Sequence, residues 1–336
     1  MAVKKPGGND SKARRRVFLT LAAALAGAAI GIATFLRLTQ RPPVEVPKPT
    51  SPTPTTIIPT PTPADISASR VDSVPIDPDD PKWNLVREVE FTLDPQAMVR
   101  PFEPSPGVKS VKVKALYDAE NIAFRIEWAD KIPDFGLDVD RFSDRCAVML
   151  LKYPIPDELA GKAWMMGTPE YPATMLVWEA RLQLEAEKGL QDITDMFPNI
   201  AIDAYPPYKG TVKEVEPKPI RIGEVKGEEV YLAAFAAGNP ITKVRLERKP
   251  VEKIIGKGPG TIITARTQDA NGKGKWSNGV WSVVIVKRLR ASDKDQGEIE
   301  LTPGNTYHIA FAVWEGSKGE RGSRKGVTSL LTLRLE

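Results

Sequence analysis

SVKVKALYDAENIAFRIEWAD, residues 110–130, decides the fold. Val111, Val113 and Ala115 alternate with Ser110, Lys112 and Lys114, the period of a strand that puts one face on a core. A second run, NIAFRIEWAD, follows after Ala119-Glu120, a connection short enough for a hairpin. From about residue 70 onward the same kind of run recurs. It is seen in DRCAVMLLK (144–152), ATMLVWEA (173–180), EVYLAAFAA (229–237), GTIITARTQ (260–268), VWSVVIVKRL (280–289), TYHIAFAVWEG (306–316) and TSLLTLRLE (328–336). Strands of this length, punctuated by Gly, Pro, Asn and Asp, predict an all-β antiparallel sandwich. ARLQLEAEKGLQDITDMF predicts a helix near 180–197, and a Pro-, Tyr- and charge-rich excursion runs on to about 227. The expectation is one sandwich over 69–336 with a helical and irregular insertion at about 181–227.

The N-terminal part reads differently. Of the chain's 47 basic and 43 acidic side chains, seven and one fall in residues 1–37, which leaves 40 and 42 in the rest. A folded part so balanced lacks the basic footprint of a nucleic-acid binder. Residues 1–17 form a basic tail, and FLTLAAALAGAAIGIATFL, 18–36, is free of charge. Its nineteen residues span roughly 29 Å as a helix, the thickness of a bilayer's hydrocarbon. The basic flank stays cytoplasmic, so the bulk of the chain is expected outside, held at the cell membrane by a single-pass anchor. RRVFL, Arg15 to Leu19, is similar to a twin-arginine export signal. No A-x-A site follows the apolar run before Arg37, which favours a retained anchor, with a cut inside the Ala-rich stretch as the alternative. Residues 37–68 form a linker, and nine prolines between 40 and 65 make it a semi-rigid spacer or a glycosylated stalk.

Few residues are suited to chemistry. Cys146 is the one cysteine and His308 the one histidine, so neither a disulfide nor a multi-histidine zinc site can form within this chain. No Walker sequence is present, and Gly256, Gly258 and Gly260 do not stand between a strand and a helix as a dinucleotide fingerprint requires. His308 alternates with Ala310, Ala312 and Trp314 and reads as a structural histidine. Asp138/Asp140 and Asp293/Asp295 read as solvated loop charges, with a calcium role as the alternative. The stretch KAWMMGTPEYPATMLVWEA (162–180) sets Met165 and Met166 before Gly167. Methionine fills cores, and its thioether is also a soft metal ligand, so both readings stand.

Four stretches together carry a resemblance. They are ALYDAENIAFRIEWAD (115–130), AWMMGTPEYPATMLVWEA (163–180), GKGKWSNGVWSVVIVKRL (272–289) and YHIAFAVWEGSKGERGSRKGVTSLLTLRLE (307–336). In this order, over roughly 70–336, the chain resembles the haem b-binding gamma subunit of ethylbenzene dehydrogenase, dimethylsulfide dehydrogenase and related type II molybdoenzymes of the dimethyl sulfoxide reductase family. The resemblance implies a β-sandwich with one non-covalent haem b. Met166 and Lys325 would be its axial ligands, with Met165 as the choice that a one-residue shift would make. It implies a non-catalytic subunit that relays electrons between an iron–sulfur subunit, itself joined to a molybdopterin catalytic subunit, and a cytochrome or membrane carrier. Many members are soluble, so an anchor is a departure. Two further readings are a stalked carbohydrate-binding or adhesion module and a haem domain of another redox system. For the first, Trp128, Trp178 and Trp314 lie in apolar strands and read as core rather than as sugar platforms.

Overall fold

The computed structural model describes residues 64–136, 142–189 and 239–336, with single positions at 195, 197, 199 and 237. The expected anchor at 18–36, most of the linker, the run 229–237 apart from its last residue, and most of the insertion lie outside these residues. Among the described residues no helix is long and apolar enough to cross a membrane.

Fourteen strands follow in chain order: β1 (Ile66–Arg70), β2 (Val89–Thr92), β3 (Asp94–Pro95), β4 (Ser110–Tyr117), β5 (Asn121–Ala129), β6 (Arg145–Lys152), β7 (Ala173–Glu179), β8 (Val251–Gly256), β9 (Ile263–Thr264), β10 (Asn271–Ser277), β11 (Val280–Arg288), β12 (Thr306–Trp314), β13 (Gly326–Val327) and β14 (Leu331–Leu335). The helices are α1 (Asp157–Trp164), α2 (Ala180–Lys188) and α3 (Pro240–Leu246). One sheet runs β14-β12-β6-β7-β8-β9, with β13 beside β12 and β3 beside β13. The other runs β10-β11-β5-β4, with β2 also on β4. The expected hairpin is β4–β5, with Tyr117 opposite Ile122.

The antiparallel expectation needs one correction. β1 pairs parallel to β14 through Ile66–Ala68 and parallel to β4 through Ser69 and Arg70, so one strand joins the two sheets. It begins at Ile66, inside the expected linker. The run 260–268 contributes only Ile263 and Thr264 to a strand, and its partner VEKIIG, β8, has no counterpart among the expected strands. The reason is Lys253, which occupies an inward position of β8 and breaks the apolar pattern. Its ammonium is fully buried against Glu298 at 2.9 Å and Asp269 at 2.6 Å. Asp293, expected in solvent, is buried beside the same ammonium at 3.8 Å.

The sheets close on a core in which Trp128, Trp178 and Trp281 meet, with Trp178 and Trp281 centroids 4.9 Å apart. Edge-to-face geometry of this kind adds about 0.5–1.5 kcal/mol per pair to the area buried. β10 is glycine-rich for the same reason, since a Cβ on Gly274 would sit 2.2 Å from the Trp178 ring. The outer face of the second sheet is capped by Trp83, Val74 and Val86 from the segment before β2. Among the described residues, α1 and the turn after it cover part of the outer face of the first sheet.

Candidate functional site

The outer face of the first sheet holds a cavity of about 400 Å³. Its floor follows from the strand register. Ala312, Ala147, Val177 and Glu252 lie side by side across β12, β6, β7 and β8, and Ala310, Met149, Met175 and Ile254 form the next row. Two alanines where β12 and β6 meet remove side-chain bulk that the remaining walls do not replace. The walls include Met98, Trp164, Met165, Met166, Ile262, Trp314 and Lys325. A space of this size, mostly apolar and with few polar groups, falls within the range of small-molecule and cofactor sites.

The turn after α1 brings in both methionines. The helix closes with Met165 N–H donating to Lys162 O at 3.0 Å and Gly167 N–H to Ala163 O at 2.7 Å. Met166 lies between them with φ +68°, a left-handed conformation rare for a side chain this large. Such a residue costs about 1–3 kcal/mol and persists only where its surroundings impose it. Here they do: Gly258 N–H donates to Met166 O at 3.1 Å. Gly167 packs so tightly that a Cβ would lie 2.7 Å from both Ala173 N and Gly256 O. Gly167 is therefore required by backbone crowding.

Lys325 reaches the cavity from the β12–β13 side. Its Nζ lies 4.9 Å from the centroid of Trp314, whose indole N–H donates to Gly322 O at 3.0 Å. Burial alone brings the Lys325 ammonium down to about 8, because desolvation penalises its charge. Arg321, in the same loop, instead stacks on Phe142, 4.4 Å from the ring centroid. Two clamps hold the loop. Trp164 N–H donates to Thr328 O at 2.9 Å, tying the methionine turn to the chain just after β13. Gln96 donates to Val99 O at 2.7 Å and Ser323 O at 2.8 Å, and accepts from Met98 N–H and Val99 N–H. Arg145 is the other cation on the cavity wall and pairs with Glu179 at 3.1 Å.

Sequence reasoning names Met165, Met166 and Lys325, and all three line this one cavity. It does not find the alanine floor, Gln96 or the Trp164 tie. The signal for the floor is present in DRCAVMLLK, whose two faces are both apolar, as in a strand covered on both sides. Trp128 and Trp178 lie in the sandwich interior as expected, whereas Trp314 is buried on the other side of its sheet, at the cavity. His308 is half-buried away from it, 4.9 Å ring to ring from Tyr153, and burial lowers its pKa.

Fold and site together define a β-sandwich with a pocket on one outer face, floored by small and sulfur-bearing residues. The model of the ethylbenzene dehydrogenase family matches residues 80–326, and the chain belongs to that family. Over 77 residues it is 29% identical to a Haloferax mediterranei protein named as a respiratory nitrate reductase heme subunit, covering 23% of this chain and 27% of that one. Over 63 residues it is 40% identical to a Sulfolobus acidocaldarius protein named as a subunit of cytochrome b558/566, covering 18% and 14%. The chain thus matches about a quarter or less of the length of either relative. Among solved structures, a family 9 carbohydrate-binding module from Caldicellulosiruptor kristjanssonii with glucose aligns at TM-score 0.35 and 10% identity, over 81% of this chain and 95% of that one.

Proposed function

We propose that this chain is a non-catalytic electron-transfer subunit that holds one non-covalent haem b, with Met166 and Lys325 as axial ligands. The observation that carries this reading is a thioether and a desolvated amine on the walls of one apolar cavity. The donor chemistry fits. Methionine needs no deprotonation, and burial lowers the lysine's pKa, which eases the loss of the proton that a metal requires. A bound haem supplies a one-electron couple, whose potential a methionine ligand raises. The protein's part is to fix the two donors and keep water away. Gln96 and Trp164 hold the loops that bear them, and the two alanines leave the cavity open for the group. The names of the two relatives, which carry a heme subunit in one case and a cytochrome b in the other, favour the same class.

The one cysteine cannot hold an iron–sulfur cluster, so any cluster belongs to a partner. We read the chain as relaying electrons between the iron–sulfur subunit of an extracytoplasmic molybdoenzyme and a cytochrome or membrane carrier. Residues 18–36 would anchor it, and a mature N-terminus beyond residue 30 found by mass spectrometry would remove that anchor.

The ligand test is spectroscopic. Lys325→Arg keeps the charge but offers no free lone pair, so the haem spectrum and potential should both change. Lys318→Met, in the same loop, should leave them as they are. Haem affinity should fall about tenfold per pH unit below about 8, because a proton competes for the amine. The haem-free chain carries the matching linkage. Its folded lysine has the lower pKa, so the unfolded state binds more protons between about 8 and about 10.4, and stability rises with pH across that window. An unchanged spectrum in Lys325→Arg would return the lysine to a structural role.

A further inference from the structure

A second constellation lies away from the cavity. Asp130 directly follows β5, Asp144 directly precedes β6 and Glu315 directly follows β12, so three strand ends from both sheets meet there. All three side chains are buried, at 3%, 0% and 8% exposure. They bring one carboxylate oxygen each to within 4.8 Å of one another. Asp144 is held by three donors: Gly316 N–H at 2.8 Å, Asp134 N–H at 2.7 Å and the Trp281 indole at 3.1 Å. Glu315 accepts from Ser317 Oγ at 2.7 Å. Asp130 accepts from Ile132 N–H through Oδ1, while its Oδ2 is buried with no hydrogen-bond partner.

A buried carboxylate with one oxygen lacking a donor, clustered with two further carboxylates, needs a proton or a cation beside it. Among the described residues no Lys or Arg nitrogen forms an ion pair with Asp130, Asp144 or Glu315. Burial first, and then repulsion among these carboxyls and from Asp134, push all three up, Asp144 to about 8, which is the cost a cation would remove. We propose that Asp130, Asp144 and Glu315 bind one divalent cation of the hard, oxygen-seeking class, Ca2+ first among them. The donor set is oxygen only, which suits Ca2+ or Mg2+ and disfavours zinc or copper. The ion would join the two sheets at this end. It would also fix the root of the segment from Glu315 to Lys325, where Glu320 accepts from Glu315 N–H at 2.9 Å and from Gly107 N–H at 2.7 Å.

The test uses the full chain after treatment with a chelator. Tb3+ is a luminescent stand-in for Ca2+ that indoles sensitise, and Trp281 touches Asp144 directly. One Tb3+ per chain should bind, with luminescence excited through tryptophan and abolished by added Ca2+. Saturating Ca2+ should also raise the thermal midpoint by roughly 5 °C. Asp130→Asn, which keeps shape and loses charge, should weaken Ca2+ binding about a hundredfold or more. Glu315→Gln should weaken it about tenfold. The competing arrangement is a proton shared by Asp130 and Asp144. In that case the wild type shows neither a Ca2+-displaceable signal nor a thermal shift, and the proposal falls. It falls equally if Asp130→Asn binds Ca2+ as tightly as the wild type.

Discussion

The two faces of the sheet β12-β6-β7-β8 are made by the same four strands and differ in what fills them. On the inner face Val313, Cys146, Trp178 and Val251 lie in one row, all at most 1% exposed. On the outer face the row one residue along is Ala312, Ala147, Val177 and Glu252, and it floors the cavity. The inner row is complemented by the second sheet, including Trp128 and Trp281. Among the described residues the outer row has no sheet above it, only α1 and loops at its margin. A one-residue step along each strand thus separates a face packed against the second sheet from one that floors a cavity.

The largest effect should come from the filled face. Trp178→Ala removes the centre of the indole cluster, and its neighbour Gly274 cannot fill the void. Large-to-small core changes of this kind cost about 3–5 kcal/mol, readable in urea unfolding. A loss below about 1 kcal/mol would mean that the inner face is not packed around this residue.

The difference between the faces also governs what the sequence discloses. β4, β5, β6, β7, β11 and β12 follow an apolar rhythm set by burial, and their positions can be read directly. β8 and β10 are hidden for physical reasons: Lys253 carries an inward charge satisfied by Glu298 and Asp269, and Gly272 and Gly274 carry no side chain at all. The helix ending at Trp164 escapes periodicity because it is only eight residues long. The parallel pairing of β1 depends on contacts with β14, some 265 residues away, which no local pattern encodes. At the site, Met166 and Lys325 are reached through resemblance, not through spacing. The alanine floor is legible in principle, because Ala147 and Ala312 share outward parity, but their adjacency exists only once β6 and β12 are in register.

A smaller effect on stability, and a sharper one on chemistry, is expected at the turn. Met166→Leu nearly conserves volume, so the fold should lose less than about 1.5 kcal/mol. Under the haem reading the potential should fall, or the iron should open to exogenous ligands. Met165 also lines the cavity, so the paired variant Met165→Leu decides the register: a spectral change there and none at Met166 moves the ligand by one residue.

The smallest stability change and the cleanest comparison belong to Ala147→Leu. In a filled core the added methylenes would clash and cost about 1–3 kcal/mol. Position 147 points the other way, between Ala312 and Val177 on the cavity floor, where the larger side chain meets open space. The haem-free protein should therefore keep its unfolding midpoint or gain slightly, since more apolar surface is covered at about 25 cal/mol per Å². Haem uptake should fail, because the leucine would fill part of the cavity that the group needs. Absorbance of the reconstituted protein, set beside the thermal midpoint of the haem-free form, reads both effects in one sample. A large drop in midpoint would show the outer face to be as closely packed as the inner one. A normal haem content with an unchanged midpoint would move the cofactor to another surface.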